Sequence, residues 1–188
     1  MDFGSRNANA WEQRKLGEFF PKVLSGNRLP KSLIEAGNLP YVIATKNING
    51  VGAYVSNGQI DFSGNRMKQF PSNSITVSID NPEAIFLQTK PFVASNVMRV
   101  LHNNDLTFNQ LTVLLQILRA STHGFDWSIK FSGPVIQSIE FLSPSAPDEL
   151  EQIGQFISTL DVLIALHQRK PLMKGAIMLT DTRKEDLF

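Results

Sequence analysis

The sequence predicts an α+β chain: a globular domain with a curved, mainly antiparallel or mixed sheet and a few helices, followed by a long coiled-coil-type helix. Three observations support this prediction. Short apolar runs separated by turn pairs fill residues 39–101, which is typical of closely spaced strands. One amphipathic helical pattern follows near residue 107, and a longer one begins at Pro147. Hydrophobic residues make up 42% of the 188 positions, enough to bury a sizeable core.

The same patterns divide the chain into four regions: a flexible lead-in (1–10), a globular domain (11–145), a long helix (146–170) and a C-terminal tail (171–188). At the start of the domain, residues 11–20 have the pattern of a short amphipathic segment. Residues 21–37 hold Gly26, Pro30 and Gly37, so we expect a loop with a short turn there.

Turn pairs separate the predicted strands. Asn49-Gly50 is a strong turn signal because both residues tolerate positive φ, and Asn57-Gly58 and Gly64-Asn65 predict two further turns. Apolar and polar residues alternate in Ile75–Ile79, which predicts a half-buried strand. The other predicted strands are residues 41–44, 51–55, 84–87, 97–101 and 135–142.

Two helices follow from the spacing of apolar residues. Thr107 can cap the first, and Gly124 closes that region. The second begins at Pro147, a residue suited to the first helical position, and we expect it to end at Pro171 after about 36 Å. The buried face of the first helix is predicted to hold Leu111, Leu114, Leu115 and Leu118.

A heptad seam runs along the second helix, because its apolar positions are spaced alternately by three and four residues. The seam consists of Leu150, Ile153, Ile157, Leu160, Ile164 and His167. Its partner is either the chain's own domain or another long helix, in a second copy or a different subunit. Its length and strict spacing favour another helix, and His167 marks a frayed end or helps to set the register.

The basic residues are unevenly distributed, although the net charge is only +1. Between Arg14 and Lys68 the chain has eight basic residues and three acidic ones. Such a region can steer a polyanion to one face of a protein, although a solvated surface without a partner has the same composition.

Composition excludes several other classes of protein. The absence of cysteine excludes a disulfide scaffold, a cysteine zinc site and a thiol nucleophile, and it suits a reducing compartment. Residues 1–10 lack the apolar centre of a signal peptide, and no apolar run is long enough to cross a bilayer. We therefore expect a soluble, cytoplasmic protein.

The sequence gives little support to catalysis. Asn38-Leu39-Pro40-Tyr41 resembles the base-presenting motif of DNA amino-methyltransferases, but no cofactor loop precedes it. Glu83 with Gln88-Thr89-Lys90 resembles part of a metal-dependent nuclease site, at a spacing common by chance. The three histidines have no spacing that suggests a metal site. We expect a non-catalytic chain with no cofactor and no metal.

Two stretches that bracket residues 11–170 resemble the specificity subunit of type I restriction-modification enzymes. The run Trp11–Glu18 (WEQRKLGE) looks like the opening of a repeat in that family. The stretch from Ser143-Pro144 to Lys170, with EQIGQF, LD and LHQRK, looks like the end of the same repeat. The glycine-bearing stretch 26–37 and Lys90–Ser95 also look like parts of a target-recognition domain.

The resemblance implies a DNA-reading function without chemistry. Full specificity subunits hold two recognition domains, each reading half of a split site, and two long helices that fix their separation and dock methyltransferase subunits. This chain carries one such domain, so it resembles a half-length form, which could restore the two-domain layout by pairing with itself. The tail after Pro171 departs from the family pattern and puts subunit docking in doubt.

The expected partners are double-stranded DNA, a methyltransferase subunit, and a second copy or another specificity half bound through the long helix. Lysine and arginine would hold phosphates, and arginine, asparagine and glutamine would read bases. The candidate DNA-binding residues are Lys22, Arg28, Lys31, Lys46, Asn47, Asn49, Asn57, Arg66, Lys68 and Gln69. The rival hypothesis is a decoy that does not bind DNA and acts on restriction-modification subunits through the heptad helix; a third is a small nuclease.

Overall fold

The computed structural model describes residues 10–46 and 48–181. Their helices and strands follow one another as β1 (Trp11–Lys15), α1 (Leu16–Phe19), β2 (Val23–Ser25), β3 (Ala36–Val42), β4 (Val51–Val55), β5 (Gln69–Phe70), β6 (Ser74–Ser78), β7 (Ile85–Gln88), β8 (Phe92–Ala94), β9 (Met98–Leu101), α2 (Phe108–Ser121), α3 (Gly133–Ser138), β10 (Glu140–Pro144) and α4 (Pro147–Asp181). Single turns of 3-10 helix occur at Lys31–Leu33 and Ile48–Gly50.

The strands form two four-stranded sheets and a two-stranded ribbon. The first sheet has the order β2-β9-β6-β7 and is antiparallel throughout. The second has the order β4-β3-β8-β5 and is mixed, because β3 and β8 run parallel. In the ribbon, β1 pairs antiparallel with β10, so Trp11 lies opposite Pro144 and the two ends of the globular domain meet. The predicted α+β class with antiparallel and mixed sheets is confirmed.

Three apolar clusters hold these layers together. The largest lies between the first sheet and the helices, and it includes Phe20, Leu114 and Phe131. The second includes Val42, Phe92 and Met98 and joins the two sheets, and the third covers the second sheet. Since β3 and β8 contribute to both smaller clusters, the second sheet is fixed to the first.

Strand β6 is more buried than its sequence predicts. Ile75 and Val77 lie in the largest cluster, as the alternation requires. The intervening Thr76 is also fully buried, where its hydroxyl donates to the Phe86 carbonyl (3.2 Å) and accepts from Gln88 Nε2 (3.0 Å). The prediction of a half-buried strand was wrong because polar residues with local hydrogen-bond partners can occupy a buried face.

The turn predictions that rest on local chemistry are confirmed. Asn49 and Gly50 have φ of 53° and 77° at the turn between β3 and β4. Thr107 caps α2, and its hydroxyl accepts from the Gln110 N–H. Gly124 has φ of 81° just beyond α2.

Three segments differ from the predictions. Residues 11–20 form a strand and a short helix, and the predicted loop 21–37 contains β2. Residues 135–142 were predicted as one strand, but α3 occupies the first four of them. Val135, Ile136 and Ile139 are spaced for one face of a helix, and Pro134 fits its first turn, so the chain becomes extended only at β10.

Helix α4 begins at Pro147, as predicted, but continues to Asp181. The prediction that Pro171 ends it was wrong. A proline inside a helix removes one backbone hydrogen bond and crowds the preceding turn, which weakens the helix without fixing its end. The residues that follow, Leu172-Met173-Lys174, favour helix.

Candidate nucleic-acid interface

Two segments, residues 27–35 and 56–69, pack against each other at the surface. We call them the loop cluster. Its centre is the buried amide of Gln59. Gln59 Oε1 accepts from the Glu35 N–H, and Nε2 donates to the carbonyls of Leu33 and Ile60, each at 2.8 Å. One side chain therefore joins the two segments by hydrogen bonds to their backbones.

A second link runs through Asp61, which is largely buried. Its carboxylate accepts from the backbone N–H groups of Asn65 (3.0 Å) and Ser63 (2.9 Å) and from the Asn27 side chain (2.8 Å). These bonds, that of the Asn65 N–H first, hold the pKa of Asp61 below its ordinary value. The Asp61 carboxylate therefore binds groups within the loop cluster, and it stabilises the turn before Arg66.

Four cations of the loop cluster have no carboxylate partner among the residues that the structure describes. They are Arg28, Lys31, Arg66 and Lys68, and all four are exposed. By contrast, Arg14 and Lys15 on β1 pair with Glu18 and Glu140. The loop cluster therefore carries four cations that form no ion pair within the described chain, against two carboxylates, Glu35 and Asp61.

Neighbouring groups orient three of these cations. The Arg28 guanidinium lies 4.5 Å from the centre of the exposed Phe62 ring, and Lys68 Nζ lies 5.4 Å from that of Phe70. Arg66 Nη2 donates to the Asn57 carbonyl (3.0 Å). Gln69 Nε2 donates to the same carbonyl (3.2 Å) and to Asn57 Oδ1.

The structure brings together six of the ten predicted DNA-binding residues: Arg28, Lys31, Asn57, Arg66, Lys68 and Gln69. The other described candidates lie outside the loop cluster. Lys46 pairs with Glu83 (3.6 Å), and the Asn49 carbonyl accepts from Gln88 (2.9 Å), so both lie beside β7. Lys22 precedes β2, exposed and without a carboxylate partner in the described chain, and Asn47 lies outside the described residues.

Sequence reasoning missed the residues that support the loop cluster. Asn27 accepts from the Lys68 N–H (3.0 Å) while it donates to Asp61, and Gln59 is buried. The pattern Asp61-Phe62-Ser63 is typical of a carboxylate that bonds the backbone two residues ahead, so Asp61 could have been found. Nothing local in the sequence marks Asn27 or Gln59.

The heptad seam is divided between two environments. Leu150 is buried, and Ile153 and Ile157 pack against the largest core cluster. Leu160, Ile164 and His167 are exposed, and so are the nearby Phe156, Val162, Leu163 and Leu166. The first half of the seam thus packs on the chain's own domain, and the surface open to a partner narrows to the second half.

A cleft of about 350 Å³ separates α2, β7 and α4. Arg119 lines it and donates to the Ile85 carbonyl (3.0 Å), and burial lowers the pKa of this guanidinium while Asp161 opposes the shift. The described residues include no cluster of potential metal ligands. In the same part of the chain, no helix combines the length and apolarity that a bilayer crossing requires.

The two weak catalytic motifs are used structurally. Glu83 pairs with Lys46, and Gln88 is buried in hydrogen bonds to Asn49 and Thr76. Tyr41 is buried in β3, where burial raises the pKa of its hydroxyl, so its ring does not face a base-binding surface.

A mixed α+β domain with uncompensated cationic loops and a partly exposed long helix has the features of a nucleic-acid-binding subunit. Residues 9–172 match the family model of the type I restriction modification DNA specificity domain. The chain therefore belongs to this family, and the resemblance seen in the sequence is confirmed. Specificity subunits are the non-catalytic DNA-recognition components of restriction-modification systems, which agrees with the expectation of a chain without catalysis.

Individual relatives agree with this assignment. The chain is 31% identical over 86 residues to the specificity subunit S.BcgI of a type II restriction enzyme from Heyndrickxia coagulans; the match covers 45% of this chain and 25% of that one. The fold is similar to the type I S subunit from M. genitalium (TM-score 0.63, 16% identity, 97% of this chain and 46% of that one). The HsdS subunit from Thermoanaerobacter tengcongensis gives a TM-score of 0.60 at 16% identity over 90% of this chain and 42% of that one. This chain thus spans about half the length of the solved structures it matches, and its match to the curated relative covers a quarter of that protein.

Proposed function

We propose that this chain recognises duplex DNA through the loop cluster and reads one half of a split site within a restriction-modification complex. The observation that carries the proposal is the set of four exposed cations, Arg28, Lys31, Arg66 and Lys68, without carboxylate partners in the described chain. A free cation can neutralise a phosphate without first breaking an ion pair, and counterion release then favours binding. Because the chain belongs to a family of DNA specificity domains, we expect the polyanion to be DNA.

The half-site part of the proposal rests on the recognition domain and on α4. A full specificity subunit reads two half-sites with two domains, and the sheets and helices of residues 11–144 correspond to one of them. A second copy, or another specificity half, would supply the other domain, and the exposed seam positions Leu160, Ile164 and His167 offer it a surface. A methyltransferase subunit would dock on the same assembly. Since such a complex acts on DNA inside the cell, we place the chain in the cytoplasm.

The test is a titration of labelled duplex DNA with the full chain at several salt concentrations. The Arg28→Gln/Lys68→Gln variant is expected to lose about tenfold in affinity at low salt, and to reduce the slope of log affinity against log salt by about two. The matched control is Arg14→Gln/Lys15→Gln, which removes two cations of β1 that are each paired with a carboxylate. Equal losses in both variants would contradict the proposal.

The exposed apolar residues of α4 favour a second candidate, an interaction protein that does not bind DNA. Such a protein would bind restriction-modification subunits through Leu160 and Ile164 and leave the loop cluster unused. The same titration separates the two functions, because the second predicts no binding to any duplex even at low salt.

A further inference from the structure

We infer that the loop cluster reads a guanine, with Arg66 as the base-reading residue and Gln69 as a positioning residue that acts through Asn57. This inference rests on the proposed function and deepens it, since it assigns a base to a side chain.

The hydrogen bonds of Gln69 determine its role. A glutamine reads adenine with one amide hydrogen and its carbonyl oxygen together. Both amide hydrogens of Gln69 are directed at Asn57, one at the backbone carbonyl (3.2 Å) and one at Oδ1. Gln69 therefore has no donor left for a base. The bonds from Gln69 hold the Asn57 side chain in place, and they occupy its Oδ1. The two hydrogens on Asn57 Nδ2 are free, because Nδ2 has no partner in the described chain.

Arg66 is held in place by the same carbonyl. One Nη2 hydrogen is bonded to the Asn57 carbonyl (3.0 Å), so the other four donors of the guanidinium are available to a ligand. Its backbone is fixed as well. Arg66 forms an isolated antiparallel β-bridge with Ile60, and the N–H of Met67 donates to the Gln59 carbonyl (2.8 Å). A guanidinium that is already oriented loses less conformational entropy when it binds a base.

The free groups of Arg66 and Asn57 are mainly hydrogen-bond donors, and this sets the base that fits. Guanine presents two acceptors, N7 and O6, in the major groove, and arginine bonds both. Adenine has an N6 amino group in place of O6, and that donor would face the donors of Arg66. Cytosine likewise presents an amino donor, and thymine presents a single acceptor, O4, beside its methyl group. Guanine is therefore the base that offers two acceptors to the donors of Arg66.

A phosphate is the alternative ligand for Arg66, and the two ligands have different consequences. Loss of a phosphate contact weakens binding to all sequences about equally, whereas loss of a base contact removes the preference at one position. Base preference is thus the informative readout, and a general loss of stability would not change it at a single position.

The test is selection of bound duplexes from a randomised library by the full chain, followed by sequencing. The wild type should select a motif with an invariant guanine. Arg66→Lys, which keeps the charge but loses the fork of donors, should lose about tenfold in preference at that guanine and keep the other positions. Gln69→Leu should lose less, at the same position. Lys15→Gln should select the wild-type motif.

The outcomes separate this inference from the proposed function. A motif unchanged by Arg66→Lys, or a uniform loss of affinity, overturns the guanine assignment and leaves DNA recognition standing. A Gln69→Leu effect at a different position overturns the positioning role. Absence of binding by the wild type to any duplex overturns the proposed function, and the inference with it.

Discussion

The carboxylate of Asp61 accepts hydrogen bonds from three residues of the loop cluster: Asn65, Ser63 and Asn27. Asn27 in turn accepts from the backbone of Lys68, so one ionised group connects the turn before Arg66 to the backbone at Lys68, just before β5. The loop cluster, which is proposed to bind a polyanion, is thus itself organised by an internal anion.

The first prediction concerns pH. Because the pKa of Asp61 is lowered in the folded state, its contribution to stability is complete above its unfolded value of about 3.9, and it is lost as the pH falls through the lower folded pKa. Asp61→Asn should therefore lower the melting temperature at neutral pH, and the gap to the wild type should narrow below about pH 4. Thermal melts across that range measure it. Asp105→Asn is the control, because the Asp105 carboxylate accepts no hydrogen bond in the described chain. A gap independent of pH would contradict the account.

Residue types alone predicted part of the candidate site. Arg66 and Lys68 could be predicted as DNA-binding candidates because basic and amide residues are frequent in the stretch before β6. The ion pair of Lys46 with Glu83 and the bond from Gln88 to the Asn49 carbonyl could not, because they join positions far apart in the sequence. Long-range contacts decide which exposed cations are free, and no local pattern records them.

Among the elements, α2 and α4 pack closely against each other at Gly154. A Cβ at Gly154 would lie 2.0 Å from the Asn109 carbonyl oxygen. Around this point the Asn109 side chain donates to Glu151 (2.6 Å) and accepts from Ser158 (3.4 Å). The absence of a side chain at Gly154 thus allows α4 to pack against the first turn of α2, which fixes where α4 leaves the domain.

The second prediction follows from that contact. At an exposed helical position, Gly→Ala stabilises by up to about 1 kcal/mol. At Gly154 the clash with backbone should outweigh this gain, so Gly154→Ala is expected to destabilise the chain by about 1–3 kcal/mol. Urea unfolding measures the difference. Gln152→Ala, at an exposed position of the same turn, is the control and should change stability little. Stabilisation by Gly154→Ala would show that the helices do not meet as described.

Elements defined by local chemistry were the predictable ones. The Asn49-Gly50 turn and the Thr107 cap need only neighbouring residues, and both form. The helix α3 was missed because a short apolar stretch fits strand and helix alike. The continuation of α4 past Pro171 shows that one proline does not outweigh the helix formers that follow it.

At the scale of the whole molecule, the loop cluster and the exposed half of α4 are separate surfaces. The loop cluster consists of residues 27–35 and 56–69. The exposed surface of α4 consists of residues 161–168, all of which are exposed. We therefore propose that one surface contacts DNA and the other contacts a partner subunit.

The third prediction tests this division. Leu160→Glu/Ile164→Glu should raise the dissociation constant of self-association at least about tenfold, because charges would replace the exposed apolar positions of the seam. The thermal stability of the domain should change little. Sedimentation measures the association, with Gln155→Glu as the off-seam control. A wild-type chain that stays monomeric at high concentration would argue against a second copy as the partner.

The central claim is that the loop cluster is the surface that contacts duplex DNA. Hydrogen exchange of the full chain, measured with and without saturating duplex at low salt, tests it most directly. We expect slower exchange in residues 27–35 and 56–69 on addition of DNA, with residues 120–130 unchanged. Protection that is confined to α4, or absent from both segments of the loop cluster, would contradict it.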